Sequence, residues 1–158
     1  MDVEQARRYL RGRPHVEETM QWGANLVYWA APKAIGGKMF ALIDLNEDQR
    51  REQGRRPVLS FYAGPSAYPE LLERDGVIPA PYLARAYWVA LVDWEALATA
   101  ELKLLLEAAH VGVTARLPRK VREMLRSQPA PAAKKSEPTD RKKSNSGYGA
   151  LRYGAGVS

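Results

Sequence analysis

Arg116, Arg119, Lys120, Arg122 and Arg126 form the densest run of cations in the first 126 residues. On a helix, positions 119, 122 and 126 share one face, and 116 precedes them on the same side. Guanidinium and ammonium groups spaced in this way can neutralise phosphate oxygens, an attraction that does not depend on base sequence. The same pattern also serves as a solvated helix face, and the residues alone leave both readings open. Lys38, behind two glycines, and Arg85, in a segment stiffened by prolines, are secondary candidates for phosphate contact.

Other chemistries find fewer of the residues they need. Gly36-Gly37-Lys38 lacks the four-residue spacer of a P-loop, and Met39 stands where Ser or Thr would hold magnesium. Paired glycines ahead of an alternating segment read instead as a hairpin turn. His15-Val16-Glu17-Glu18 and the distant His110 are the only histidine-bearing pieces, too sparse for the convergent ligands of a metal site. His110 flanks an apolar stripe and reads as a boundary residue. Ser60 and Ser66 fall in a strand and at a helix cap, and Asp93 and Glu95 at a strand-to-helix turn, where capping and dipole effects account for acids. No nucleophile, base or electrophile can be assigned, so the expectation is a protein without enzymatic activity, cofactor or metal.

Aromatic residues make a second group: Trp22, Trp29, Trp88 and Trp94, with Tyr28, Tyr62, Tyr82 and Tyr87. Strand alternation sends Tyr28 and Trp29 to opposite faces of a sheet, and likewise Tyr87 and Trp88. One of each pair must face the helices. The set reads as a large aromatic core with amphipathic rims, or as a surface for stacking or docking.

These residues must be positioned by a chain of 158 residues, long enough for one domain with a core. Its hydrophobic content of 46% and charged content of 27% are ordinary for a folded protein. There is no Cys, which removes disulfides, thiolate catalysis and Cys-ligated zinc. The polar start Met1-Asp2-Val3-Glu4-Gln5 is unlike a signal peptide, and no apolar run reaches the roughly 18 residues of a membrane helix. A cytoplasmic protein is expected. The net charge of +6 is unevenly placed. Residues 127–158 hold Lys134, Lys135, Arg141, Lys142, Lys143 and Arg152 against Glu137 and Asp140, so the body carries only +2.

Asp2 and Gln5 have the spacing of a capping box for a first helix containing Val3, Ala6 and Leu10. His15–Gly23 reads as a polar connection. Leu26–Ala30 and Lys38–Leu45 read as an antiparallel hairpin, with Met39, Ala41 and Ile43 on one face and Phe40, Leu42 and Asp44 on the other. Asn46–Pro57 is an exposed loop or short helix, and Val58–Tyr62 a third strand. Ser66 caps a short helix ended by Gly76, Val77-Ile78-Pro79 opens an extended loop, and Tyr87–Val92 is a fourth strand. Thr99 caps a longer helix with a Leu102, Leu105, Leu106 and Ala109 stripe, and Leu117-Pro118 starts the last helix. Beyond Arg126, prolines, lysines and then glycines predict a disordered basic tail, residues 127–158, following a domain of residues 1–126.

Several blocks, taken in order, resemble the MmcQ/YjbR family of small bacterial proteins with a frataxin-like (CyaY-like) fold. They are Trp22-Gly23, Gly36-Gly37-Lys38-Met39-Phe40-Ala41, Gly76-Val77-Ile78-Pro79-Ala80, Tyr87-Trp88-Val89-Ala90-Leu91 and Leu117-Pro118-Arg119-Lys120. The likeness covers about residues 2–126. Family members often carry Asn before the basic residue of the loop and His just before the tryptophan, where this chain has Ala84 and Tyr87. The resemblance implies an α+β domain, an antiparallel sheet with helices packed on one face and the other more open. It also implies DNA binding. The expected contacts are phosphate contacts from Lys38, Arg85, Arg116, Arg119, Lys120, Arg122 and Arg126. The alternative is a protein-interaction module that uses the aromatics of the open sheet face.

Overall fold

In the computed structural model, which describes residues 1–53 and 56–128, six strands pair into one antiparallel sheet. The strands are β1 (Glu17–Gln21), β2 (Asn25–Trp29), β3 (Met39–Asp44), β4 (Leu59–Tyr62), β5 (Val77–Pro79) and β6 (Trp88–Leu91), in the spatial order β1-β2-β3-β4-β6-β5. Five helices accompany them: α1 (Val3–Arg11), α2 (Glu47–Gln53), α3 (Gly64–Leu71), α4 (Thr99–Ala115) and α5 (Arg119–Ser127). The architecture is α+β, as the sequence implies.

Asp2 and Gln5 close the expected capping box, each side chain taking the other's backbone N–H at 2.8 and 3.0 Å. The helix then buries Ala6 and Leu10 against the sheet. α4 crosses β3 and β4 and buries Leu102, Leu106, Ala109 and Val113. These meet Leu26, Tyr28, Ile43, Leu59, Phe61, Val89 and Leu91 in the main core. Polar groups on this covered face are paired. Glu18 accepts two hydrogen bonds from Arg7 and one from Tyr28 Oη, tying α1 to the first hairpin. Burial and the Glu18 carboxylate together push the Tyr28 phenol far above its usual range. Burial disfavours the charged form of Arg7, but Glu18 outweighs it and holds Arg7 above the ordinary arginine value.

The reading of β3 needs correction. Its register slips at Tyr28/Trp29, where Tyr28 faces Ala41 but Trp29 faces Met39. Phe40 is the extra residue of a β-bulge and joins Ala41 and Ile43 in the covered core. Met39, Leu42 and Asp44 take the open side. Simple alternation puts Phe40 on the wrong face because it has no means of counting a bulge.

Other elements also differ. The polar connection before Gly23 contains β1, an edge strand whose half-exposed residues leave no apolar alternation to read. Val77-Ile78-Pro79 is a short edge strand, with proline where an edge tolerates a missing donor. Ser66 does not cap α3, which starts at Gly64 with Pro65 in its first turn, and Ala98, not Thr99, precedes α4. Tyr87 lies outside β6, at φ 65°, and stacks edge-on against Tyr68 at 5.8 Å. Trp88 therefore faces away from the helices and is buried all the same, in a small cluster with Ala80 and Ala90 on the second face. His110 is buried, not at a boundary. Its Nε2 hydrogen-bonds the Pro14 carbonyl at 2.9 Å and its ring meets Phe40 edge-on at 5.2 Å. The tail reading falls on residues 129–158, outside the described residues, and α5 runs one residue past the expected boundary, to Ser127.

Candidate nucleic-acid interface

α5 owes its orientation to two apolar residues. Val121 and Leu125 pack against Ala31, Ile35 and Leu117 in a cluster separate from the main core. That fixes the opposite face outward, and it is the face carrying Arg119, Arg122 and Arg126. Glu123 falls in the middle of it and accepts a 3.1 Å hydrogen bond from Arg119 Nε. Arg122 is half-buried and donates to the Leu117 carbonyl at 3.1 Å. Lys120 and Arg126 are exposed and take part in no salt bridge among the described residues.

The turn carrying Lys38 lies against this helix because of its glycines. A Cβ on Gly37 would sit 1.7 Å from the Ala31 carbonyl oxygen, and one on Gly36, at φ 105°, 3.1 Å from Val121 Cγ2. The two glycines are therefore needed for close approach, not for cradling phosphate. The connection is longer than a tight hairpin, with a 3-10 turn over Lys33–Ile35, and the pairing resumes where Ala30 N donates to the Lys38 carbonyl. Lys38 itself is exposed.

Arg116 closes the C-terminal end of α4, where a cation complements the helix dipole. It also donates to Tyr62 Oη at 2.8 Å, its guanidinium carbon 5.4 Å from the ring centre. Arg85 is exposed in the 3-10 turn Ala84–Ala86. That turn is held to β4 by the Tyr87 carbonyl, which accepts from Ala63 and Gly64 N–H.

Strand polarity brings these pieces together. β2 and β4 end, and β3 and β6 begin, at the same end of the antiparallel sheet. Lys38, Arg85, Arg116 and the α5 cations all belong to that end. One cation there was not singled out from the sequence. Lys33 stands 4.9 Å over the Trp29 ring, and its backbone N–H donates to Glu17 at 2.7 Å. Its signal, a lysine four residues after a tryptophan, means nothing until the chain turns back. The opposite end holds Asp75, Asp93, Glu95 and Glu101. Arg74 chelates Glu101 there with hydrogen bonds of 2.7 and 2.9 Å, and the bond lowers the Glu101 carboxyl below its usual value.

Candidates for other chemistry stay apart. Asp93 Oδ1 accepts the Glu95 N–H at 2.9 Å, a local turn bond. Among the described residues no three His, Cys, Asp or Glu side chains are grouped to hold a metal, and no helix is long and apolar enough to cross a membrane.

The model of the YjbR family matches residues 11–111. The chain belongs to that family. The crystal structure of the Deinococcus radiodurans protein DR2400, described as carrying a DUF419 domain, superposes with a TM-score of 0.63. The two are 24% identical over 78% of this chain and 86% of the other, a likeness of fold. No match was found among curated proteins.

Proposed function

We propose that this is a non-enzymatic nucleic-acid-binding protein, with DNA as its ligand, held by phosphate contacts at the basic end of the sheet. One observation carries the reading. The topology gathers Lys33, Lys38, Arg85, Arg116, Arg119, Lys120, Arg122 and Arg126 at one end, with Glu17 and Glu123 as the acids among them. A body charge of only +2 is thus concentrated rather than spread. Contacts of this kind give affinity without base readout, since side chains on phosphate carry no sequence information. A cytoplasmic location suits such a ligand.

Replacing Arg119, Lys120 and Arg122 together by Ala tests it. These side chains lie on the exposed or half-exposed side of α5, so the fold survives. Fluorescence anisotropy over a salt series should show weaker binding to unrelated DNA sequences alike. The log–log salt slope should shrink by about 0.9 for each duplex phosphate that is no longer neutralised. Unchanged affinity and slope would rule out α5 as the binding surface.

A further inference from the structure

The sheet face turned away from α1 and α4 carries a cleft of about 690 Å³ that the phosphate reading does not use. Leu42 and Ser60, paired across β3 and β4, lie along its floor, with Met39 toward the basic end and Asp44 toward the other. The five-residue step from Met39 to Asp44 makes that floor about 17 Å long, at ~3.4 Å per residue. Trp22 stands at one end and Tyr82 at the other, exposed at 64% and 104%.

Both aromatics sit on strained backbone. Trp22 has φ 50° and Tyr82 φ 65°, in the left-handed region that bulky residues avoid. Neither gains burial in return. A fold that holds two large rings outward at an energetic cost, at the two ends of one cleft, has positioned them for contact.

We infer that this cleft binds the bases of single-stranded DNA, which it stacks on Tyr82 and Trp22, while the basic end of the sheet holds the adjoining phosphates. The inference rests on the nucleic-acid reading above. Charge and continuity select the ligand. The Tyr82 end of the cleft leads through Leu83 and Ala84 to Arg85, and the Met39 end adjoins Lys38, so the cleft opens onto the cation-rich end. A ligand with flat apolar faces and a polyanionic backbone meets both surfaces at once. Duplex DNA does not, because its base faces are already stacked and only edges show in its grooves. The apolar floor of Met39, Leu42 and Leu83 suits deoxyribose and the thymine methyl. A ribose 2′-hydroxyl placed there would lose its hydrogen bonds to water.

The test uses the full chain with four ten-residue probes: oligothymidine, an abasic strand, a duplex and oligouridine, each over a salt series. Oligothymidine should bind more tightly than the other three and quench tryptophan fluorescence. Tyr82→Ala and Trp22→Ala should each weaken oligothymidine binding roughly 5- to 150-fold, the range seen for loss of one stacked base, and leave abasic and duplex binding unchanged. Tyr82→Phe keeps the ring and should bind like the parent, and circular dichroism confirms that each variant folds. Equal binding of oligothymidine and the abasic strand, with no effect of either alanine, would overturn the stacking site and leave the phosphate reading standing. Equally tight oligouridine would overturn the choice of DNA. Failure of every probe would overturn both readings.

Discussion

The two faces of the sheet solve the same problem differently. The covered face buries Tyr28, Phe40, Ile43, Leu59 and Phe61 completely under α1 and α4, and its polar groups, Glu18, Arg7, Tyr28 and His110, are hydrogen-bonded. The second face buries Val27 and a smaller cluster around Trp88, with Leu83 packed on it, beside a cleft. Backbone strain occurs on both sides. Of the non-glycine residues at positive φ among the described residues, Trp22 and Tyr82 border the cleft, while Tyr87 meets Tyr68 of α3 and His15 lies by the covered side. The first face holds the larger core, and the second carries the two exposed aromatics Trp22 and Tyr82.

The largest expected effect tests that division directly. Phe40→Ala should cost about 3–5 kcal/mol, because it empties a fully buried site in the covered core. Leu42→Ala, two residues on but on the open side, should cost about 2 kcal/mol or less, since that side chain is only half-buried. Urea denaturation measures both. Equal losses would mean the open face is as much a core as the covered one.

A smaller effect should appear with pH. Burial lowers the His110 pKa below 6.5, with Arg13 and His15 adding to the effect and the Pro14 carbonyl opposing it. The unfolded chain then binds a proton more readily than the folded one. The contribution is complete above the unfolded value near 6.5 and is lost as pH falls through the lower folded value. Stability measured between pH 8 and 5 should decline in the parent and stay flatter in His110→Gln. Parallel curves would place the acid sensitivity elsewhere.

The smallest effect sharpens the contrast. Tyr82→Gly should leave stability within about 1 kcal/mol of the parent, because relief of left-handed strain offsets the greater freedom of glycine when unfolded. A large loss on thermal melting would show that Tyr82 supports the fold, and would remove the argument that its strain serves contact.

What could be read from the sequence divides along the same line. The Asp2/Gln5 cap, the α4 stripe, the central strands and Pro118 ahead of α5 are legible because each is a local signal, an end marker or a period, contained within its own element. β1 and β5 are not, since edge strands with half-exposed residues lack that period. The Phe40 bulge is fixed by pairing with β2, which no single segment contains. The α5 cations can be listed from sequence, but their nearness to Lys38 and Lys33 depends on Gly36 folding against Val121 and Gly37 against Ala31. The cleft is hidden altogether, because Trp22 and Tyr82 are 60 residues apart and their exposure follows from backbone angles.

α4 has one further consequence. Its 17 residues span about 25 Å, at ~1.5 Å per residue, from the neighbourhood of Glu101 to Arg116. It therefore works as a rigid spacer between the Arg74–Glu101 pair and the basic end, whose positive charge is greater than the body's net +2 conveys. In the field of a polyanion such a body turns before it touches, so that the α5 end leads. Orientation is then selected during approach, at distances up to about a Debye length, ~8 Å at physiological salt. Exchanging Glu101 and Arg116 would weaken that torque without altering the total charge.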